Sequence, residues 1–162
     1  LIVELEPWEY EHAYAVGVRR FTANWGKADA SYYQNNNKEE DRNAQAASAI
    51  CELAVAKYTN QYWHASVWDG RKHKKYKDMP DVGTNIEVRR VRTQSGPTVR
   101  EKDTLKPDWV IWGAKLADAE YRTVKLLGWI SAEEGWKIGI ENQWGKIIPQ
   151  ELLNKDWDET EQ

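Results

Sequence analysis

The 162-residue sequence predicts an α+β fold, a mixed, mostly antiparallel central sheet flanked by helices. Three observations carry this expectation. Helical spacing and alanine fill much of the first 60 residues. β-Branched residues in alternation take over from residue 86. A helix-starting Ser131-Ala132-Glu133-Glu134 follows the last long strand candidate. The length suits one domain, expected over residues 1–153, with residues 154–162 as an acidic, flexible tail.

Residues 8–24 read as the first helix. Trp8, His12, Ala15, Val16 and Val18 outline a rough face, and Arg19 and Arg20 fall toward its end. Residues 26–42 are polar, with Asn35-Asn36-Asn37 ahead of a charged run, and read as a loop. The clearest helix covers 43–60. Asn43 is suited to cap it, six alanines lie between positions 44 and 56, and Ala47, Ile50, Cys51, Ala54 and Tyr58 share a face. A basic loop occupies 69–78. Strands are expected at 86–94, 97–101, 109–113 and 121–130, separated by turn-like or polar residues. Ile147-Ile148-Pro149 reads as a final strand or docked segment, anchored by Leu152 and Leu153.

Cys51 is the only cysteine, so no internal disulfide forms, and it reads as a small buried hydrophobe. No stretch approaches the roughly 20 apolar residues of a membrane span. Both points lead to the expectation of a cytoplasmic protein without membrane partners. Ten Trp and eight Tyr against one Phe are first read as core and rim, with base stacking as the sharper alternative. Net charge is −3, so the chain is not a polycation. Its charge is uneven, however. Residues 71–102 carry ten Lys or Arg against four acids, whereas residues 1–11 carry four acids and no base. His12, His64 and His73 lack metal-ligand spacing. No phosphate-binding glycine loop and no Ser or Cys nucleophile motif is present.

The candidate chemistry lies in carboxylates. Glu52 is the only charged side chain between Arg42 and Lys57, and no helical ion pair supports it. It either lies on the solvent stripe or stands beside a cation from elsewhere. Next comes Pro80-Asp81-Val82-Gly83-Thr84-Asn85-Ile86-Glu87-Val88-Arg89. Gly83-Thr84-Asn85 is turn chemistry, and residues two apart on a strand share a face, so Glu87 and Arg89 project together while Ile86 and Val88 face the core. The turn can fold Asp81 back toward them. Two converging carboxylates suit Mg²⁺, a hard cation that takes oxygen ligands. The alternative is a surface hairpin with ordinary cross-strand ion pairs. Arg90, Arg92 and Arg100, with Gln94 at strand spacing from Arg90 and Arg92, are candidate nucleic-acid contacts. Arg71, Lys72, Lys74, Lys75 and Lys77 form a loop that could track phosphates.

Glu52 in an alanine-rich helix, then Asp81, then Glu87-Val88-Arg89, resembles the PD-(D/E)XK nuclease superfamily. The likeness covers roughly residues 43–153, and Leu127-Gly128-Trp129-Ile130-Ser131-Ala132-Glu133 is similar to small stand-alone phage-type members. The resemblance implies a restriction-endonuclease-like fold and a metal-dependent nuclease that hydrolyses phosphodiester bonds in DNA. It implies a bacterial or phage-infected cell and admits a homodimer. Asp81 and Glu87 would be ligands for Mg²⁺ or Mn²⁺, joined by the Val88 backbone carbonyl. Glu52 would orient water or complete the metal shell. Arg89 stands where the family usually has Lys, and would stabilise phosphate charge. Arg cannot serve as a base, so the second reading is a catalytically inactive nucleic-acid-binding domain of the same fold. A third is a Trp-rich interaction module.

Overall fold

The computed structural model describes residues 1–25, 38–67 and 78–158. In chain order the elements are β1 (Ile2–Glu4), α1 (Pro7–Asn24), α2 (Lys38–Thr59), β2 (Ile86–Arg90), β3 (Thr98–Val99), β4 (Val110–Leu116), β5 (Thr123–Ser131), α3 (Ala132–Ile138), β6 (Ile140–Asn142) and β7 (Gly145–Ile147). Short 3-10 turns cover Glu101–Leu105 and Gln150–Leu152. The fold is α+β, as expected. A four-stranded mixed sheet in the order β1-β5-β4-β2 forms the centre, and a small antiparallel sheet β3-β7-β6 lies beside it. Among the described residues, no helix is long and apolar enough to cross a membrane.

Pro7 opens α1 where its missing N–H is no loss, and the Glu6 N–H donates to Glu9 Oε1 at 2.8 Å. The buried side of α1 is Glu9, Ala13, Val16, Gly17, Arg20, Phe21 and Asn24. This corrects the expected face, of which only Val16 is buried; Trp8 is 67% exposed. The reason is the neighbour. A Cβ at Gly17 would come within 2.6 Å of the Ala46 backbone nitrogen, so the two helices cross where both residues are small.

α2 begins at Lys38, so residues 38–42 are helical rather than part of the expected loop, and Asn43 lies inside the helix instead of capping it. Glu40 and Asp41 fall in the first turn, where they complement the helix dipole. Ala46, Ala47, Ala49, Ile50, Cys51, Ala54 and Val55 are fully buried. Such small side chains let α2 lie against α1 on one side and the sheet on the other.

β2 and β4 pair in parallel, Val88 opposite Trp112, while β4–β5 and β1–β5 are antiparallel. Parallel neighbours need a crossover, and β3 with the Glu101–Leu105 turn lies within it. A bulge in β5 then divides the core. Gly113 pairs with Gly128 but Ala114 pairs with Leu126, leaving Leu127 as the extra residue, and Gly128 takes φ 127°. Val124 and Leu126 therefore face the helices with Trp112 and Ala114, whereas Leu127 and Ile130 face the other side with Ile111, Val99 and Ile148. The result is three layers, with helices, the central sheet, and then the small sheet with α3.

Several boundaries move. β1 was not foreseen, β2 ends at Arg90 rather than residue 94, and residues 101–105 form a 3-10 turn. Ser131 does cap α3, its Oγ accepting from Glu134 N at 3.1 Å. The tail from residue 154 is docked rather than loose over its described part. Asn154 exchanges backbone bonds with Trp129 at 2.8 and 2.9 Å, and Trp157 stacks on Trp112 with centroids 6.3 Å apart.

Candidate functional site

The turn that carries Asp81 is tied down from two sides. Val82 and Ile86 exchange backbone bonds across it, and Gly83 closes it with φ 60°. The segment after α2 holds it from behind. Trp63 bridges to Val82, Gly83 N donates to the Tyr62 carbonyl at 2.7 Å, and His64 N donates to the Asp81 carbonyl at 3.2 Å. Asp81 is thereby folded back onto β2, where its Oδ2 accepts from the Val88 N–H at 2.9 Å. The sequence expectation of a turn returning Asp81 to the Glu87 strand holds. Along a strand, the N–H and C=O of one residue point to the same side, so the Val88 carbonyl leaves β2 on the edge where Asp81 lies.

Glu52 is buried beneath this turn at 5% exposure, which removes the solvent-stripe alternative. It stands beside a cation contributed by α1. Arg20 Nη1 donates to Glu52 Oε2 at 2.7 Å and Nη2 to Oε1 at 3.0 Å, and Trp63 Nε1 adds a bond to Oε1 at 3.1 Å. Arg20 Nε donates to the Ser66 carbonyl at 2.7 Å. Both Glu52 oxygens are thus engaged by protein donors. These bonds give Glu52 a positioning role that the sequence did not suggest. Glu52 anchors Trp63, whose backbone fixes the Asp81 turn. Sequence reading missed Arg20, although it falls on the face of Ala13, Val16 and Gly17 at helical spacing.

The three carboxylates nevertheless feel one another. Burial, with Glu52 and Glu87 close by, holds the Asp81 carboxyl well above its ordinary range, against the Val88 N–H and the Arg20 charge. Burial also raises Glu87, opposed by Arg89 and Lys102 and supported by Asp103 and Glu52.

Arg89 differs from expectation. Its guanidinium forks onto Asp103, Nη1 to Oδ2 at 2.9 Å and Nη2 to Oδ1 at 2.8 Å, and Nη1 also donates to the Thr98 carbonyl at 2.9 Å. Glu87 Oε2 is 3.9 Å away. Arg89 therefore braces β2 against the crossover, and its expected phosphate contact is corrected to a structural ion pair. Asp103, in a 3-10 turn, carries no periodic signal that would have revealed it.

The same turn supplies Lys102. With Glu87, Asp78, Lys106, Leu105 and Trp109 it lines a cleft of about 310 Å³. Partial burial and the Arg89 and Arg100 charges lower the Lys102 pKa, against Asp103 and Glu87. Lys106 ion-pairs with Asp78 at 3.1 Å and lies 4.0 Å from the centre of the Trp109 ring.

No protein-family model matches the chain, and neither a curated protein nor a solved structure does. Among the described residues, no three His, Cys, Asp or Glu side chains are gathered to hold a metal by themselves. Asp81, Glu87 and the Val88 carbonyl are hard oxygen donors, and a divalent cation would relieve the burial that raises both carboxyls and the repulsion that Asp81 feels from Glu52 and Glu87. This donor set fits Mg²⁺ or Mn²⁺ better than a soft metal.

Of the expected nucleic-acid contacts, Arg71, Lys72, Lys74, Lys75 and Lys77 lie outside the described residues. Arg90 follows Arg89 on β2 and so projects from the opposite face to Glu87 and Arg89. Gln94 does not extend β2 as expected. Its side chain turns back, accepting from Arg92 N at 2.9 Å and donating weakly to the Arg90 carbonyl at 3.5 Å.

Proposed function

We propose that the chain is a metal-dependent nuclease that hydrolyses phosphodiester bonds in DNA. What supports this most is the turn that folds Asp81 back onto β2 next to Glu87, two half-buried carboxylates both held above their ordinary range, with Glu87 lining a cation-bearing cleft. Asp81, Glu87 and the Val88 carbonyl would hold Mg²⁺ or Mn²⁺. When bound, such an ion supplies Lewis-acid polarisation of a phosphate oxygen and a lowered pKa for water. Asp81 is aimed by the Val88 N–H, and Glu52 keeps the turn in place through Trp63. Lys102, on the Glu87 cleft, takes the phosphate contact that sequence reading gave to Arg89. It neutralises charge on the phosphate and, unlike Arg, can also release a proton. The Trp109 ring, in the same cleft, offers a surface for a base.

The engagement of Arg89 by Asp103 favours a second reading, a DNA-binding domain without catalysis. Cleavage assays with Mg²⁺ and Mn²⁺ on single-stranded, double-stranded and branched DNA separate the two. The nuclease reading expects cutting that Asp81→Asn and Glu87→Gln abolish while DNA affinity stays nearly unchanged. Metal affinity by calorimetry should weaken in both variants. No cutting with any substrate, and equal metal affinity in all three proteins, would overturn the nuclease reading in favour of the second.

A further inference from the structure

On the helix-facing side of the end of β2, away from the acidic centre, lies a pocket of about 190 Å³ lined by Arg90, Arg92, Tyr121, Asn43, Ala44 and Glu40. Three observations make it a built site. Arg90 Nε is buried and has no hydrogen-bond partner among the described residues. A buried polar nitrogen without a partner costs free energy, more so on a charged group. The second guanidinium, Arg92, lines the same pocket, so two like charges face one space. Tyr121 reaches it from a backbone with φ 68°, a left-handed conformation that a bulky side chain rarely adopts. Strain of this kind persists only where the surroundings hold it, and it concentrates at binding sites.

An anion answers the first two features. Guanidinium forks match phosphate oxygens in pairs, and an anion between Arg90 and Arg92 removes both the unpaired nitrogen and the like-charge repulsion. The Tyr121 hydroxyl and the Asn43 amide are neutral donors that can complete the shell. Glu40, exposed and also bordering the pocket, is the acid that opposes this.

We propose that this pocket is a phosphate-binding site that holds one phosphate group between Arg90 and Arg92, with Tyr121 and Asn43 as neutral partners. The site is separate from the acidic centre and does not depend on cleavage there. Its phosphate comes either from a nucleic-acid strand or from free inorganic phosphate.

The test uses the full chain and inorganic phosphate, with the Arg90 Nε–H resonance and the melting temperature as readouts. The resonance should shift saturably, and Arg92→Gln should raise the Kd about tenfold, the loss of one charge-assisted contact. Glu40→Gln should tighten binding. Arg90→Met should melt no lower than wild type in phosphate-free buffer, because it deletes the buried Nε that has no partner, and phosphate should no longer raise its Tm. A short oligonucleotide that displaces phosphate assigns the site to a strand, and one that does not assigns it to the free anion. The proposal is overturned if the Arg90 resonance stays still at saturating phosphate. A Kd unchanged by Arg92→Gln, or an equal phosphate-dependent rise in Tm for wild type and Arg90→Met, overturns it too.

Discussion

Replacing Arg20 with Met tests how the acidic centre is supported. Met keeps an apolar stem of similar reach and deletes the guanidinium. Arg20 is 2% exposed and Glu52 5% exposed, and their two bonds of 2.7 and 3.0 Å would be lost together. Removing one partner of a buried pair costs about 3–5 kcal/mol, because the other charge stays buried. At about 2–4 °C of Tm per kcal/mol for a chain of this size, the melting temperature should fall by about 6–20 °C. The double variant Arg20→Met with Glu52→Met should recover part of that loss, since an apolar pair replaces the buried ion pair, while Trp63 Nε1 and the Ser66 carbonyl each lose a bond. Thermal and urea denaturation of wild type, both single variants and the double form the cycle. A loss below about 1 kcal/mol in Arg20→Met, the range of exposed pairs, would refute the reasoning. So would a double variant no more stable than the single.

Three further outcomes follow from the packing. Burial alone would raise the Asp103 carboxyl, but the Arg89 hydrogen bonds and charge outweigh it and hold it below the ordinary value. The pair therefore stabilises the fold above the unfolded carboxylate value near 3.9 and loses that contribution as pH falls through the lower folded value. Asp103→Asn should be less stable at neutral pH, with a shallower decline below about pH 4, read from urea midpoints across pH. Burial pushes the Cys51 thiol up to about 12, so the native protein should not react with a disulfide reagent at pH 8, and reaction should appear only on unfolding. Gly17→Ala should separate α1 from α2 and cost about 1–3 kcal/mol by overpacking, measured by urea denaturation; a neutral result would remove the close helix crossing.

The parts of the fold visible in sequence are those with a local signal. Six alanines marked α2, Ser131 with Glu134 marked α3, and Gly83-Thr84-Asn85 marked the turn that returns Asp81. What stayed hidden depends on contacts far apart in sequence. Arg20 and Glu52 meet across 32 positions, and Arg89 finds Asp103 only because the crossover passes beneath β2. β1 is three residues long, too short for alternation to register, and it exists because the edge of β5 is there to pair with. Trp157 had the composition of a tail, but its ring fits against Trp112 and Tyr58, and a side chain that large outweighs the acids around it.

The bond from the Val88 N–H to Asp81 has a consequence for how the molecule meets copies of itself. β2 is the last strand on its side of the central sheet, and such strands invite pairing with another chain. Here three of the outward groups are answered from within the chain. The Ile86 carbonyl accepts from Asp81 N and Val82 N, Ile86 N donates to the Val82 carbonyl, and the Asp81 carboxylate takes the Val88 N–H. Asp81 is therefore also a guard against intermolecular sheet growth. Asn at this position keeps an acceptor oxygen and leaves the strand closed, whereas Ala uncovers a donor. An Asp81→Ala protein should self-associate at concentrations where Asp81→Asn stays monodisperse by light scattering, so a loss of activity in the alanine variant mixes two causes that the asparagine variant keeps apart.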